Sequence, residues 1–100
     1  SKRLRKELTK ERNEERKPFS KEIKICEEKI ETLEMELEEK NEALTQASNN
    51  GDNSAMIELS SVVATLQDEI DVLFERLTVA TEKDEEITAR YEEKLQALDE

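Results

Sequence analysis

The chain has 100 residues, a net charge of −11, 43% charged residues and 3% aromatic residues. This composition excludes a conventional globular core, because too few large apolar side chains are present to fill one. The apolar residues recur at regular intervals, which argues against plain disorder, and one glycine and one proline argue against sheet-rich or loop-rich folds.

A heptad stripe of apolar residues predicts a first helix over about residues 3–47. Its members are Phe19, Ile23, Cys26, Ile30, Leu33, Leu37, Leu44 and Ala47. Leu8 precedes Phe19 by eleven residues, close to three helical turns, so the same face continues upstream. Pro18 is expected either to kink this helix or to start it after a separate arm, 1–17. Because Leu8 also pairs with Leu95 in the hairpin described below, we favour a continuous helix with a kink near Pro18.

The polar segment SNNGDNS, residues 48–54, predicts a turn. Gly51, or an asparagine before it, suits the left-handed conformation that ends a helix. Asp52, Asn53 or Ser54 suits the N-cap of a following helix. The segment lacks the ligand order and the closing glutamate of a calcium loop, so we expect no metal site here.

A second apolar stripe predicts a second helix over about residues 55–99. Its members are Met56, Leu59, Val63, Leu66, Ile70, Leu73, Leu77, Ala80, Ile87 and Tyr91. Leu95 and Leu98 continue this face after a phase change of one residue.

The two stripes match each other as the halves of an antiparallel hairpin. The residue numbers of facing partners add up to 103 in every layer from Ala47 with Met56 to Ile23 with Ala80, which centres the turn beside Gly51. The heptad phase slips across the turn, so the stripes are not one register. We predict an all-α fold, a two-helix antiparallel coiled-coil hairpin forming one domain over residues 1–100, as a monomer. The alternative is one long helix in a parallel dimeric rod.

Polar residues interrupt the stripes near the chain ends. Arg16 is expected to face Ile87, and Arg12 to face Tyr91, where its guanidinium would stack on the ring. Such layers are typical of register control in coiled coils. Cys26 is the only cysteine, which excludes an intramolecular disulfide, and its stripe position indicates a buried small hydrophobe.

The start of the chain is basic although the chain as a whole is acidic. Residues 1–17 hold eight Lys or Arg against four Glu. These cations are candidates for phosphate contacts with RNA or DNA: Lys2, Arg3, Arg5, Lys6, Lys10, Arg12, Arg16 and Lys17. The alternative is a solvated helix stabilised by pairs of opposite charge four residues apart. No aromatic residue lies among the cations, so base stacking is not expected.

One flank of the second helix is uncharged, and Phe74 is its only large apolar member. Val72 and Val79 also lie outside the stripe. These three residues are candidates for docking against another domain or protein, and the alternative is isolated apolar exposure without a role.

The residues do not support catalysis by this chain. It has no histidine, and one glycine cannot build a phosphate-binding loop. We expect no enzyme activity, no cofactor and no metal site in this chain. No apolar run is long enough to cross a membrane and no signal peptide is present, so we expect no membrane contact and a cytoplasmic protein or part of one.

The sequence KRLRKEL followed by KPFSKEIKICEEKIETLEMELEEKNEAL resembles the C-terminal coiled-coil domain of ABC-F proteins, ATPases with two ATP-binding cassettes. Lys21, Glu22 and Ile23 match the centre of the family pattern, Pro18 matches its entry, and Tyr91 stands where the family often has tryptophan. The resemblance implies a parent protein that binds ATP and magnesium in its cassettes. This hairpin would then be a non-catalytic arm beside those cassettes that contacts the ribosome, ribosomal RNA, tRNA or DNA. The alternative is a structural spacer or protein-docking hairpin without nucleic-acid binding.

Overall fold

The computed structural model describes residues 1–99, and its two helices are α1 (Lys2–Asn49) and α2 (Asn53–Asp99). The helices are antiparallel, because Arg5 in the first turns of α1 donates a hydrogen bond to Asp99 at the end of α2. The predicted all-α two-helix hairpin is therefore confirmed. One unbroken helix, the alternative, is excluded by the turn that separates α1 from α2.

The turn uses Gly51 to end α1 and Asp52 to begin α2. Gly51 has a φ of 66°, its N–H donates to the carbonyl of Ser48 at 3.1 Å, and the N–H of Asp52 donates to the carbonyl of Ala47 at 2.9 Å. This is the hydrogen-bond pattern of a Schellman C-cap. The Asp52 side chain in turn accepts a hydrogen bond from the N–H of Ala55 at 3.1 Å, which caps α2. Asp52 therefore takes part both in ending α1 and in beginning α2. The helices extend into the predicted turn 48–54, because α1 ends at Asn49 and α2 begins at Asn53.

α1 continues through Pro18, so residues 1–17 do not form a separate arm. Proline has no N–H to donate to the carbonyl four residues earlier, which costs the helix one hydrogen bond. On either side of Pro18, the side chains of Arg16 and Phe19 are both half-buried.

Burial follows the two predicted stripes. In α1, burial or half-burial applies to every apolar stripe residue from Leu8 to Ala47. In α2, it applies to every stripe residue from Met56 to Leu98. Arg12, Arg16 and Lys40 are half-buried at the polar positions of α1. The heptad period therefore marks the face of each helix that packs against the other. Neither helix, within the described residues, has a segment apolar enough to cross a membrane.

The hairpin divides into two compact units. The turn unit is Cys26–Glu75, and its most buried residues are all apolar or cysteine. It holds fourteen acidic residues and only two basic ones. The open-end unit comprises Ser1–Ile25 and the described residues from Arg76 onwards. It holds fourteen basic residues against twelve acidic ones among those described.

Candidate nucleic-acid interface

Arg16 belongs to the packing of the open-end unit. Its Nε donates to Oδ1 of Asp84 at 2.6 Å and its Nη2 donates to Oδ2 at 3.3 Å, so both nitrogens of the fork meet one carboxylate. The hydrogen bond to Asp84 raises the pKa of Arg16 above its ordinary value. Both side chains are mostly shielded from solvent, with 33% and 19% exposed. Arg16 is therefore engaged between the helices, although the sequence offers it as a phosphate ligand.

Arg5 and Arg12 also have partners within the open-end unit. Arg5 pairs with Asp99, and Arg12 donates to the side-chain oxygen of Asn13 from Nε at 3.3 Å and from Nη2 at 3.2 Å. The predicted stacking of Arg12 on Tyr91 does not occur. The cations over that ring are Arg90 and Lys94 of α2, at 5.4 Å and 4.7 Å from the ring centre.

Tyr91 is 4% exposed and pairs with Glu15 across the helices. The hydrogen bond to Glu15 raises the pKa of Tyr91 to about 12, and burial adds to the increase. The same bond lowers the pKa of Glu15, with help from Arg90, whose Nη2 lies 3.1 Å from the Glu15 carboxylate. This cluster joins α1 to α2 near the chain ends.

The lysines near the start of α1 form an exposed row on one face. We call this row the lysine stripe, and its members are Lys2, Lys6, Lys10, Lys17, Lys21 and Lys24. Asn13 occupies the position between Lys10 and Lys17, so successive positions are three or four residues apart and lie along the same side of the helix. All six lysines are exposed, and none forms an ion pair with another described residue.

Two acidic residues near the stripe are directed towards α2 rather than towards the lysines. Glu15 and Glu22 face α2, where they pair with Arg90 and Arg76; Arg76 Nε donates to Glu22 at 2.9 Å. Arg3, at the edge of the stripe, lies 3.5 Å from Glu7. Glu14 lies four residues after Lys10 and three before Lys17, at the edge of the stripe, but it forms no ion pair with either lysine.

The absence of neutralising partners has an energetic cost. Lys2, Lys6 and Lys10 are spaced four residues apart, as are Lys17 and Lys21. Like charges at this spacing destabilise a helix by about 0.2–0.5 kcal/mol per pair. A polyanion bound along the stripe would convert this repulsion into attraction.

Four of the predicted phosphate ligands belong to the stripe: Lys2, Lys6, Lys10 and Lys17. Sequence reasoning missed Lys21 and Lys24, because it stopped where the excess of positive charge stops, at residue 17. The spacing of four, four, three, four, four and three residues from Lys2 through Asn13 to Lys24 was the signal that could have found them.

The three predicted docking residues do not form one patch. Phe74 and Val72 are 46% and 55% exposed in the turn unit, and Val79 is 57% exposed in the open-end unit. Two positions along a helix correspond to about 200° around its axis, so Phe74 and Val72 lie on nearly opposite sides of α2.

Neither a protein-family model, nor a curated protein, nor a solved structure matches the chain. Within residues 1–99, no group of three or more His, Cys, Asp or Glu side chains is arranged to hold a metal ion. The lysine stripe is the most distinctive chemical surface of the open-end unit.

Proposed function

We propose that this chain is a non-catalytic coiled-coil arm that binds the phosphate backbone of a nucleic acid along its lysine stripe. The observation that carries the proposal is that six exposed lysines share one face of α1 without an ion-pair partner among the described residues. Unpaired lysines release counterions from a phosphate backbone on contact, which is the main source of affinity in sequence-independent binding. The turn unit, with fourteen acidic and two basic residues, would repel the same ligand.

The resemblance in sequence to ABC-F coiled coils supports a wider version of this proposal. The arm would act as a monomer, in the cytoplasm, as part of an ATPase whose cassettes bind ATP and magnesium. Its ligand would be ribosomal RNA, tRNA or DNA. The motif around Lys21, Glu22 and Ile23 and the entry at Pro18 carry the resemblance.

The experiment compares two variants with the same change in charge. In the first, Lys2, Lys6, Lys10 and Lys17 are replaced by glutamine. In the control, glutamine replaces the four lysines outside the stripe: Lys29, Lys40, Lys83 and Lys94. Affinity for RNA and DNA is measured by fluorescence anisotropy against salt concentration, and circular dichroism checks that each variant stays helical.

Each phosphate-binding lysine contributes roughly one unit to the slope of log affinity against log salt. We therefore expect the first variant to lose about four units of slope and the control to keep the slope of the original chain. Equal binding by both variants, or no binding by the original chain, would refute the proposed function.

A second candidate function is docking to a protein through Phe74, supported by the 46% exposure of this aromatic side chain. In that case the hairpin is a spacer or protein-docking arm, and Phe74→Glu weakens its association with the parent protein. The matched control is Ile57→Glu, which adds the same charge at an exposed apolar position that is not a docking candidate. If the two variants bind the parent equally well, docking at Phe74 is rejected.

A further inference from the structure

We infer that the ligand of the lysine stripe is a double-stranded nucleic acid, held along about one turn through its phosphates and without reading of its bases. This inference rests on the proposed function and adds the form of the nucleic acid and the limits of the contact. It assigns Lys21 and Lys24 to the interface and excludes Arg5 and Arg16 from it.

The first argument concerns single strands, which proteins bind largely by stacking bases on aromatic side chains. The chain has three aromatic residues, and the stripe contains none of them. Tyr91 is buried against Glu15, Phe19 is half-buried on the face of α1 that packs against α2, and Phe74 belongs to the turn unit. A single strand on the stripe would therefore gain charge contacts only.

The second argument concerns charge density. A duplex carries one phosphate charge per roughly 1.7 Å of its axis, and each neutralised phosphate gives a salt slope of about 0.9 on B-DNA but about 0.7 on single strands. A surface that offers only cations therefore favours the duplex. Lys24 lies 22 positions after Lys2, so the stripe is about 33 Å long at the rise of an α-helix, close to the length of one duplex turn.

The third argument concerns the bases. Specific reading of base edges relies mainly on bidentate contacts, for which the planar groups of arginine, asparagine and glutamine are pre-organised, whereas flexible lysine reads guanine only. Arg5 and Arg16 are paired with Asp99 and Asp84, and the oxygen of Asn13 is held by Arg12. The remaining groups of the stripe are ammonium ions, which act as point charges on phosphate. The contact is therefore independent of base sequence.

The test uses the whole chain with a 20-base-pair duplex and a single strand of the same length, each labelled for fluorescence anisotropy across a range of salt. We expect the duplex to bind more tightly, with a slope of about −5 for six lysines. A second duplex of unrelated base composition should bind within threefold of the first. A single strand that binds as tightly as the duplex, or duplexes that differ tenfold, would overturn the inference.

The limits of the contact are tested by the double variant Lys21→Gln, Lys24→Gln. We expect the slope of log affinity against log salt on the duplex to become about two units less steep. The matched control Lys29→Gln, Lys40→Gln in the turn unit should leave this slope unchanged. An unchanged slope in the first variant, with duplex binding retained, overturns the assignment of these two lysines but leaves the proposed function standing. If the original chain binds neither nucleic acid, the proposed function fails together with the inference.

Discussion

The turn unit and the open-end unit hold their helices together by different chemistry. In the turn unit the helices pack through apolar residues such as Ile30, Leu66 and Ile70. None of the ion pairs between described residues includes a residue of this unit. In the open-end unit, arginine–carboxylate pairs cross between the helices beside a smaller apolar core of Ala80, Ile87 and Tyr91. We conclude that apolar burial dominates one unit and that polar pairs supplement it in the other.

The comparison also separates the two kinds of cation. Within residues 1–99, every cation in a cross-helix ion pair is an arginine: Arg5, Arg16, Arg76 and Arg90. Every member of the exposed stripe is a lysine. Arginine has a planar fork that fits a carboxylate in a fixed geometry, whereas lysine is a strongly hydrated point charge on a flexible stem. Among the described residues, the pairs that cross between the helices therefore use arginine, and the exposed stripe uses lysine.

The largest expected effect comes from the apolar packing of the turn unit. Ile70 is 8% exposed, and Ile70→Ala should lower the free energy of unfolding by about 3 kcal/mol through lost burial and a cavity. The matched control is Ile57→Ala, because Ile57 is 75% exposed and its truncation should cost less than about 0.5 kcal/mol. Urea unfolding followed by circular dichroism measures both. Similar losses for the two variants would contradict the apolar account of this unit.

The conformation of Gly51 in the turn should contribute less to the free energy of unfolding than the apolar packing of the turn unit. Gly51 has a positive φ, and a Cβ added there meets no atom within 4 Å, so a substitution costs only conformational energy. Gly51→Ala should therefore lower the free energy of unfolding by about 1–2 kcal/mol. Gly51→Asn should cost less, because asparagine tolerates the left-handed conformation better. If alanine were as stable as glycine in thermal unfolding, the Schellman cap would not describe this turn in solution.

A double-mutant cycle on Arg16 and Asp84 tests the polar packing of the open-end unit. We expect a coupling energy of about 1 kcal/mol, because the pair is bidentate and largely shielded from solvent. Arg16→Met with Asp84→Leu should approach the stability of the original chain, since apolar residues can replace a partly buried pair. The control cycle on the exposed pair Arg3 and Glu7 should give less than about 0.5 kcal/mol. Equal coupling in both cycles would remove the distinction between them.

The smallest effect on stability at neutral pH comes from the shifted pKa of Tyr91. At that pH the tyrosine is protonated in both the folded and the unfolded chain. Because its pKa is raised to about 12, its stabilising contribution is complete below the ordinary tyrosine pKa of 10.0 and is lost as pH rises towards 12. The lowered pKa of Glu15 acts at the other end of the pH scale, where stability is lost as pH falls through its folded value.

Tyrosinate absorbance measures this shift directly, because the chain has one tyrosine and no tryptophan. We expect a midpoint near 12 in the folded chain, and a lower midpoint in Glu15→Gln. Glu7→Gln, which removes the same charge away from the ring, should leave the midpoint unchanged. An ordinary midpoint in the folded original chain would show that Tyr91 and Glu15 do not form this hydrogen bond in solution.

Much of the fold could be predicted from the sequence, because burial requires a periodic pattern that is visible in the residue order. The stripes from Leu8 to Ala47 and from Met56 to Leu98 lie where their spacing predicts. Gly51 could be recognised as the end of α1, because it is the only residue without a Cβ and therefore adopts a positive φ without strain. The choice of Asp52 among three possible caps required the hydrogen bond to Ala55.

The candidate site could be predicted only in part. Local charge composition identified the basic start of α1 but missed Lys21 and Lys24, although their helical spacing from Lys17 would have been sufficient to assign them to the same face. The roles of Arg5 and Arg16 were decided by tertiary structure, because the partner of a long cation depends on which carboxylates the folded chain brings within reach. Asp84 and Asp99 reach these arginines from the other helix, so no rule based on neighbouring residues separates the cations that join the helices from those that face solvent.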